Sequence, residues 1–266
     1  MDAPATAKSR LDSDHPQAAR MWNYWLGGKD HYGIDREAGD RVADRVPVAD
    51  AALHSRYFRA RLVRYLAGGA GIRQFLDIGT GLPVGDETHE VAQGIAPEAR
   101  IVYVDNDPLV LAHARALLTS TLEGSCDHLE ADARDTGPIL AQAAHTLDFG
   151  QPVALLMLGV LNHIVDDIEA RETVRDLVAP LAPGSHLVIA HFTADLHGDD
   201  LHQVLKIVTG MGGTPFTART PSQIAEFFQD VDLLDPGIVT CSRWRPDPSP
   251  WPADAVLQYC GVGRKP

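Results

Sequence analysis

The sequence predicts an α/β fold built on a mostly parallel sheet. Three observations carry that expectation. Short apolar runs recur and end at glycines or acids: Phe75–Ile78 before Gly79-Thr80-Gly81, Ile101–Val104 before Asp105, and Val153–Leu158 before Gly159. Segments of helical period lie between them, the alternation expected of βαβ units. The length of 266 residues and a hydrophobic content of 45% suit one large α/β domain, or such a domain with an extension.

The elements follow in order. Residues 1–15 are small, polar and charged, and read as a frayed start. From Pro16, the residues Ala18, Trp22, Trp25 and Leu26 share one helical stripe, which Gly27-Gly28 stops. The turn Gly28-Lys29-Asp30-His31 comes next. A second helix takes Asp35 as its N-cap and runs through Ala38, Val42 and Val46 to Pro47. The tryptophans admit two readings: packing onto the main domain, or a lid whose turn folds over a ligand. A third helix spans about His54 to Ala67, with Phe58, Leu62 and Leu66 inward. Its Arg56, Arg59, Arg61 and Arg64 read as a solvated face, from which one arginine could still reach a site.

The first strand, Phe75–Ile78, leads to a helix around Thr88–Gly94, and the second, Ile101–Val104, leads to Asp105. Asp107-Pro108 then supplies an N-cap and a proline at the first helical position. A short third strand precedes Glu130-Ala131-Asp132-Ala133, and a helix near Gly137–His145 follows. The fourth strand, Val153–Leu158, is apolar throughout, as a central parallel strand should be. A helix over Asp167–Val178 and a fifth strand, His186–Phe192, continue the pattern. Asp199 is read as the cap of a helix carrying Leu201, Val204, Leu205 and Val208. Thr220-Pro221-Ser222-Gln223 is a capping-box pattern. Val231–Leu234, Ile238–Trp244 and Ala255–Val262 read as strands, with the proline-rich loop Pro246–Pro252 between the last two. Residues 1–70 form an N-terminal helical extension in this reading, and 71–266 the ligand-binding domain, without a hard boundary.

The loop after the first strand narrows the ligand. Gly79 and Gly81 fit the start of a dinucleotide fingerprint, but Val84 stands where its third glycine belongs, and no GK[ST] ending makes it a P-loop. No Lys or Arg occurs between Gln74 and Ala99, whereas Asp77, Asp86, Glu87 and Glu90 do. That setting suits a cationic ligand better than a pyrophosphate. S-adenosylmethionine, a sulfonium and an ammonium on an adenosine, is such a ligand.

A net charge of −13 argues against nucleic acid or an anionic membrane as the main partner. Cys126, Cys241 and Cys260 form no CxxC pair, and the start of the chain shows no signal-peptide pattern, so a cytoplasmic setting is expected. The longest apolar run, Pro152–Val160, is too short to span a bilayer. His191, Asp195, His197, Asp199 and His202 are dense in ligand types but lack HExxH or CxxC spacing, so no metal is expected.

In an open α/β sheet, ligands bind beyond the carboxyl ends of the strands. Those ends carry Asp77 with Gly79, Thr80 and Gly81, then Asp105 with Asn106, then Asp132 with Ala133, and then Gly159 through His163. Asp105 is the expected clamp on the ribose hydroxyls, and Asp107 the helix cap. Asp132 either hydrogen-bonds the adenine amino group or caps a loop.

The order DxGxG, acid after strand two, acid after strand three resembles the class I S-adenosylmethionine-dependent methyltransferases. More closely, the chain resembles the actinobacterial S-adenosyl methyltransferase family, formerly a domain of unknown function. The matching pieces include Trp25-Leu26-Gly27-Gly28-Lys29-Asp30, Phe75–Pro83, Tyr103-Val104-Asp105-Asn106-Asp107-Pro108, Trp244-Arg245-Pro246-Asp247 and Gly261-Val262-Gly263-Arg264. The resemblance implies a Rossmann-like sheet of seven strands, the last antiparallel, behind an N-terminal helical extension. It implies S-adenosylmethionine as cofactor, S-adenosylhomocysteine as product, and cofactor contacts near Asp77, Gly79, Gly81, Asp105 and Asp132. Where the family commonly has Asn after the GGKD turn, this chain has His31.

Methyl transfer chiefly requires alignment, with a general base only where the nucleophile must lose a proton. Asn162 and His163, just past the fourth strand, are the candidate catalytic residues; the alternative for His163 is a satisfied helix-entry residue. Gly28, Lys29, Asp30 and His31 are candidate lid or substrate residues. The chain lacks [DN]PP[YF], the pattern of many amino-group DNA methyltransferases, which favours a small-molecule acceptor. The competing reading is a non-catalytic binder of S-adenosylmethionine or S-adenosylhomocysteine.

Overall fold

A computed structural model describes residues 12–249 and 253–266. The frayed reading of residues 1–15 falls mostly outside the described residues, as does the end of the Pro246–Pro252 loop. Three helices come first: α1 (Ala18–Trp25), α2 (Gly33–Ala43) and α3 (Val48–Arg64), the last ending in one wide turn, Tyr65–Gly69. Strands and helices then alternate as β1 (Gln74–Ile78), α4 (Thr88–Ile95), β2 (Arg100–Asp105), α5 (Pro108–Leu117), β3 (Ser125–Glu130), α6 (Thr136–Ala143), β4 (Ala154–Leu158), α7 (Asp167–Val178) and β5 (His186–Phe192). The chain closes with α8 (Gly198–Gly210), α9 (Pro221–Ala225), the two-residue strands β6 (Asp232–Leu233) and β7 (Val239–Thr240), and β8 (Gln258–Arg264).

The sheet order is β3-β2-β1-β4-β5-β8-β6, with β7 also on β8. The first five strands are parallel, and β8 inserts antiparallel between β5 and β6. The strand order reverses between β1 and β4, so a crevice opens past the ends of β1 and β4, where ligands bind in such sheets. Eight strand elements stand among the described residues where the resemblance implied seven; the extra one is the short β7.

Side-chain alternation explains the layers. Phe75, Ile101 and Tyr103 face one core with Phe58, Leu62 and Trp244. Leu76, Val102 and Val104 face the other with Ile139, Val174 and Phe227. The central strands β1, β2, β4 and β5 are buried on both faces because helices cover both. A third cluster joins Met21, Val42, Val46 and Val48 to Phe192, Leu201, Val204 and Val208. It docks the front helices onto α8.

Several boundaries differ from the sequence reading. Asp35 is not an N-cap. Tyr32 holds that position, and Asp35 sits three residues in, fully buried, accepting the Tyr32 N–H at 2.8 Å and the Gln17 N–H at 2.9 Å and pairing with Arg20 at 3.0 Å. Its acidity serves a tertiary contact that no local window reveals. α3 starts at Val48 rather than near His54, because Pro47 is the residue before a helix rather than the end of one. α8 starts after His197, whose φ of 57° is left-handed, so Asp199 lies in the first turn instead of capping it.

The arginines of α3 are not one solvated face. Arg59 is largely buried and pairs with the buried Glu87 at 3.0 Å, and Arg61 donates to the carbonyl oxygen of Cys241 at 2.8 Å. Only Arg64 of the four is exposed.

Candidate functional site

A cavity of about 300 Å³ opens at the carboxyl ends of β1, β2 and β4. Asp77, Gly79, Thr80, Gly81, Asp105, Asn106, Asp132, Ala133, Gly159 and His163 all line it. Sequence positions from 77 to 163 therefore meet at one place, because the parallel strands all end on the same side.

The Gly79-Thr80-Gly81 turn is shaped by close approach. Gly79 has φ +76°, and a Cβ there would lie 2.5 Å from Cβ of Val160. Gly81 has φ +71° and would meet nothing within 4 Å, so it presents bare backbone to the cavity. The Gly81 N–H donates to Oδ2 of Asp105 at 2.9 Å, and the Asp107 N–H donates to Oδ1 at 2.9 Å. Each oxygen of the buried carboxylate keeps a further lone pair for a ligand donor. Burial raises the pKa of Asp105, against those backbone hydrogen bonds. Asp107 caps α5 through the Leu109 N–H at 2.8 Å, as its sequence context required.

Asp77 is buried at the end of β1 and accepts a hydrogen bond from Oγ1 of Thr88 at 2.7 Å. Burial pushes its pKa up to about 6, despite that bond and the Arg59 charge. The loop itself has no basic residue, but α3 supplies two to this wall: Arg59 beside Glu87, and Arg56, which pairs with Asp86 at 3.0 Å. The local field is mixed, not purely acidic. Nε of Arg56, Nε of Arg59 and Nδ2 of Asn23 are buried without a partner, and all three residues line the cavity. Such donors call for an acceptor.

Asp132 borders the cavity, but Arg134 holds its carboxylate: Oδ1 accepts from the Arg134 backbone N–H at 3.0 Å and from Nε at 2.7 Å, and Oδ2 accepts from Nη2 at 2.6 Å. That pair, led by the Arg134 hydrogen bond, lowers its pKa. Asp132 is thus less free to accept from a ligand than the sequence suggested.

His163 ends the short 3-10 turn Val160–His163. Its Nδ1 lies 3.2 Å from the carbonyl oxygen of Pro215. A carbonyl only accepts, so Nδ1 carries the hydrogen and Nε2 of the neutral ring keeps its lone pair. Burial lowers its pKa below the ordinary histidine value. Asn162 is a different case. Its side chain is buried, and its Oδ1 accepts the Phe192 N–H at 3.1 Å. Asn162 does not line the cavity; it ties the turn to the end of β5.

The Gly28–His31 turn also stands off the cavity. Asp30 pairs with His113 of α5 at 3.4 Å, Nε2 of His31 meets the Gly28 carbonyl at 3.1 Å, and the Asp30 N–H donates to Oδ1 of Asn23 at 2.9 Å. These contacts fasten the turn and leave the α1 end to reach the cavity, with Trp22 and Asn23 of the helix and Leu26 just after it. Trp22 and Asn23 were not legible as cavity residues, because only the docking of the front helices brings them in; of the α3 arginines, from which one was read as able to reach a site, Arg56 and Arg59 both line the cavity. Among the described residues, no group of three or more His, Cys, Asp or Glu side chains gathers as a metal site would require, and no helix is long and apolar enough to cross a membrane. His191, from the suspected group, is buried beside Arg219.

The donor set fits S-adenosylmethionine. A carboxylate with lone pairs to spare suits a ribose diol, unpartnered Arg and Asn donors suit an amino-acid carboxylate, and the buried Asp77 suits an ammonium. The space left open at Gly81 allows a ligand to approach the backbone.

The comparisons agree with that fit. A family model described as S-adenosyl methyltransferase matches residues 4–266. A DUF574 family protein from Streptomyces avermitilis MA-4680 is 39% identical, with a TM-score of 0.92 over 97% of this chain and 100% of that one. A candidate methyltransferase from Thermobifida fusca YX is 36% identical, with a TM-score of 0.86 over 98% and 99%. The plantazolicin methyltransferase BpumL, solved with S-adenosylhomocysteine, is 13% identical with a TM-score of 0.55 over 93% and 95%, a likeness of fold alone. No curated protein matches the chain. On the family match and these two relatives, the chain belongs to the S-adenosyl methyltransferase family, as an S-adenosylmethionine-dependent enzyme of Rossmann-like class I fold.

Proposed function

We propose that this methyltransferase acts on a small-molecule acceptor, with His163 as general base and the cavity wall as cofactor site. The single observation that carries the reading is the state of His163: it lines the cavity with Nδ1 committed to Pro215, so Nε2 is the proton acceptor. When bound, S-adenosylmethionine supplies a methyl group on a sulfonium, electrophilic without further activation.

The chain's own residues bind, orient and accept a proton. Asp105 takes the ribose hydroxyls on its free lone pairs, with Thr80, Gly81 and Asn106 around it. Arg56, Arg59 and Asn23 take the amino-acid carboxylate, and Asp77 the ammonium. Ala133 and Gly159 wall the adenine and the sulfur end, and Asp132 stays near the adenine while held by Arg134. The front helices act as the lid, through Trp22 and Asn23 of α1 and Leu26 just after it rather than through Lys29 and His31. Closing that lid excludes water from the transfer.

The cavity is concave and small, and the chain carries a net charge of −13, which supports a small acceptor over nucleic acid. Cys241 and Cys260 are free, buried thiols, which supports a reducing, cytoplasmic setting. Nothing in the fold or the relatives favours the non-catalytic alternative. Formation of S-adenosylhomocysteine should be followed with panels of small hydroxyl, amine and acid acceptors, and separately with bulk protein and nucleic acid. Turnover with at least one small acceptor is expected; turnover with macromolecules alone would overturn the reading.

A further inference from the structure

A second, apolar cavity of about 30 Å³ adjoins the first, and the two share Ala18, Trp22 and His163. The Trp22 ring stacks on Phe192 with centroids 5.7 Å apart, Phe216 lies 6.1 Å from Phe192, and His163 lies 6.3 Å from Phe216. Trp25 and the Met, Val and Leu side chains of α1, α2, the α2–α3 junction and α8, with Leu257 before β8, form the rest of the lining; among the described residues, His163 is the only titratable group in it. Trp22 and Phe216 are half-buried, unlike the sealed core residues beside them. Phe216 belongs to the stretch between α8 and α9 that also carries Pro215, the partner of His163. The seam has room for little more than a water as it stands, so an occupant must part α1 from Phe216.

We infer that the methyl acceptor is an uncharged phenol, seated on Trp22, Phe192 and Phe216 with its hydroxyl at Nε2 of His163. The inference rests on the small-molecule methyltransferase reading above. The lining selects against charge, because an ammonium or carboxylate would lose its hydration with no ionic partner there. It favours an aromatic body, which gains by stacking and by area. The base selects the nucleophile. Transfer from a phenol of pKa about 10 to a neutral imidazole is uphill in the ground state and is completed only as the oxygen takes the methyl group; from an aliphatic alcohol, which is far less acidic, it is much more uphill. In the step, the phenolic oxygen forms a bond to the methyl carbon. The sulfur–carbon bond breaks with its pair going to sulfur, and the phenolic proton passes to Nε2. The products are a methyl aryl ether, a neutral thioether and an imidazolium that returns its proton to water.

The test uses the full chain and three probes of one shape: 2-naphthol, 2-naphthoate and 2-naphthylmethylamine. Binding is read by calorimetry with S-adenosylhomocysteine present, and conversion by the formation of the methyl ether. Naphthol alone should bind and be methylated. Phe216→Ala, or Trp22→Leu where that variant is poorly folded, should weaken naphthol binding by about tenfold or more, with S-adenosylhomocysteine affinity within twofold for Phe216→Ala. Methylation of the amine or the acid instead of naphthol would overturn the inference and leave the small-molecule reading standing. So would naphthol binding unchanged in both variants. Failure to bind S-adenosylhomocysteine at all would strike the underlying reading instead.

Discussion

Arg219 and His191 meet in the core behind the site, with Nη1 of Arg219 2.7 Å from Nε2 of His191. Both are buried. A guanidinium only donates, so His191 accepts at Nε2 and donates from Nδ1 to the Phe192 carbonyl at 2.8 Å. The same guanidinium donates to the carbonyl oxygens of Leu161 at 2.9 Å and Ile164 at 2.8 Å, and its Nε to Asp167 at 2.9 Å. Leu161 and Ile164 bracket His163. Arg219 thus holds the turn that carries the proposed base, although it lines neither cavity.

Replacing it should separate catalysis from cofactor binding. Arg219→Lys cannot span these four acceptors without a planar fork, so kcat should fall by about tenfold or more while S-adenosylmethionine affinity holds within twofold. Urea unfolding should also report a loss of roughly 2–4 kcal/mol, the range for breaking a buried charged network. A kcat unchanged in the folded variant would remove the positioning role.

His191 makes the fold acid-sensitive. Burial, foremost, pushes its pKa from 6.5 down to about 3. Between those values the unfolded chain binds a proton that the folded chain refuses. The contribution is therefore complete above pH 6.5 and is lost as pH falls toward 3, at about 1.4 kcal/mol per pH unit. His191→Gln keeps an acceptor for Arg219 without a titrating ring. Its unfolding midpoint should fall less than that of the wild type between pH 7 and pH 5; parallel falls would contradict the assignment.

Asp77 acts with the opposite sign. Its pKa rises from 3.8 to about 6, so the folded chain binds the extra proton, and stability is gained as pH falls through 6. At pH 8 the buried charge costs roughly 3 kcal/mol. Asp77→Asn keeps an acceptor for Thr88 and removes the charge. It should raise the melting temperature at pH 8, with little gain near pH 4, and should weaken S-adenosylmethionine binding. Lower stability at pH 8 would show that the Arg59 charge requires Asp77.

Much of this was legible in the sequence where the signal is local. Asp77, Gly79 and Gly81 could be read because a strand, a tight turn and an open backbone each restrict residue type over a few positions. Asp107-Pro108 and Thr220–Gln223 could be read because capping is chemistry within three residues, and both caps form. Asp35 looked like an N-cap but sits three residues into the helix: it closes the capping box on Tyr32, and its other partners, Gln17 and Arg20, lie 18 and 15 residues away. Arg59 was hidden by its own helix: four arginines in nine residues look like a solvated face until Glu87 packs against one of them. Asn162 and His163 are neighbours, yet a 3-10 turn sends one to the core and the other to the cavity. The GGKD turn stood out by composition, but what it does is brace α1 against α5.

The cavity past β1 and β2 is proposed above to hold S-adenosylmethionine with Asp105 on the ribose. Calorimetric titration of S-adenosylmethionine into the wild-type chain and Asp105→Ala tests it most directly. Saturable binding to the wild type is expected, with a loss of about tenfold or more in the variant, because two ribose hydroxyls are left without an acceptor. Equal affinity in a folded Asp105→Ala chain would contradict it.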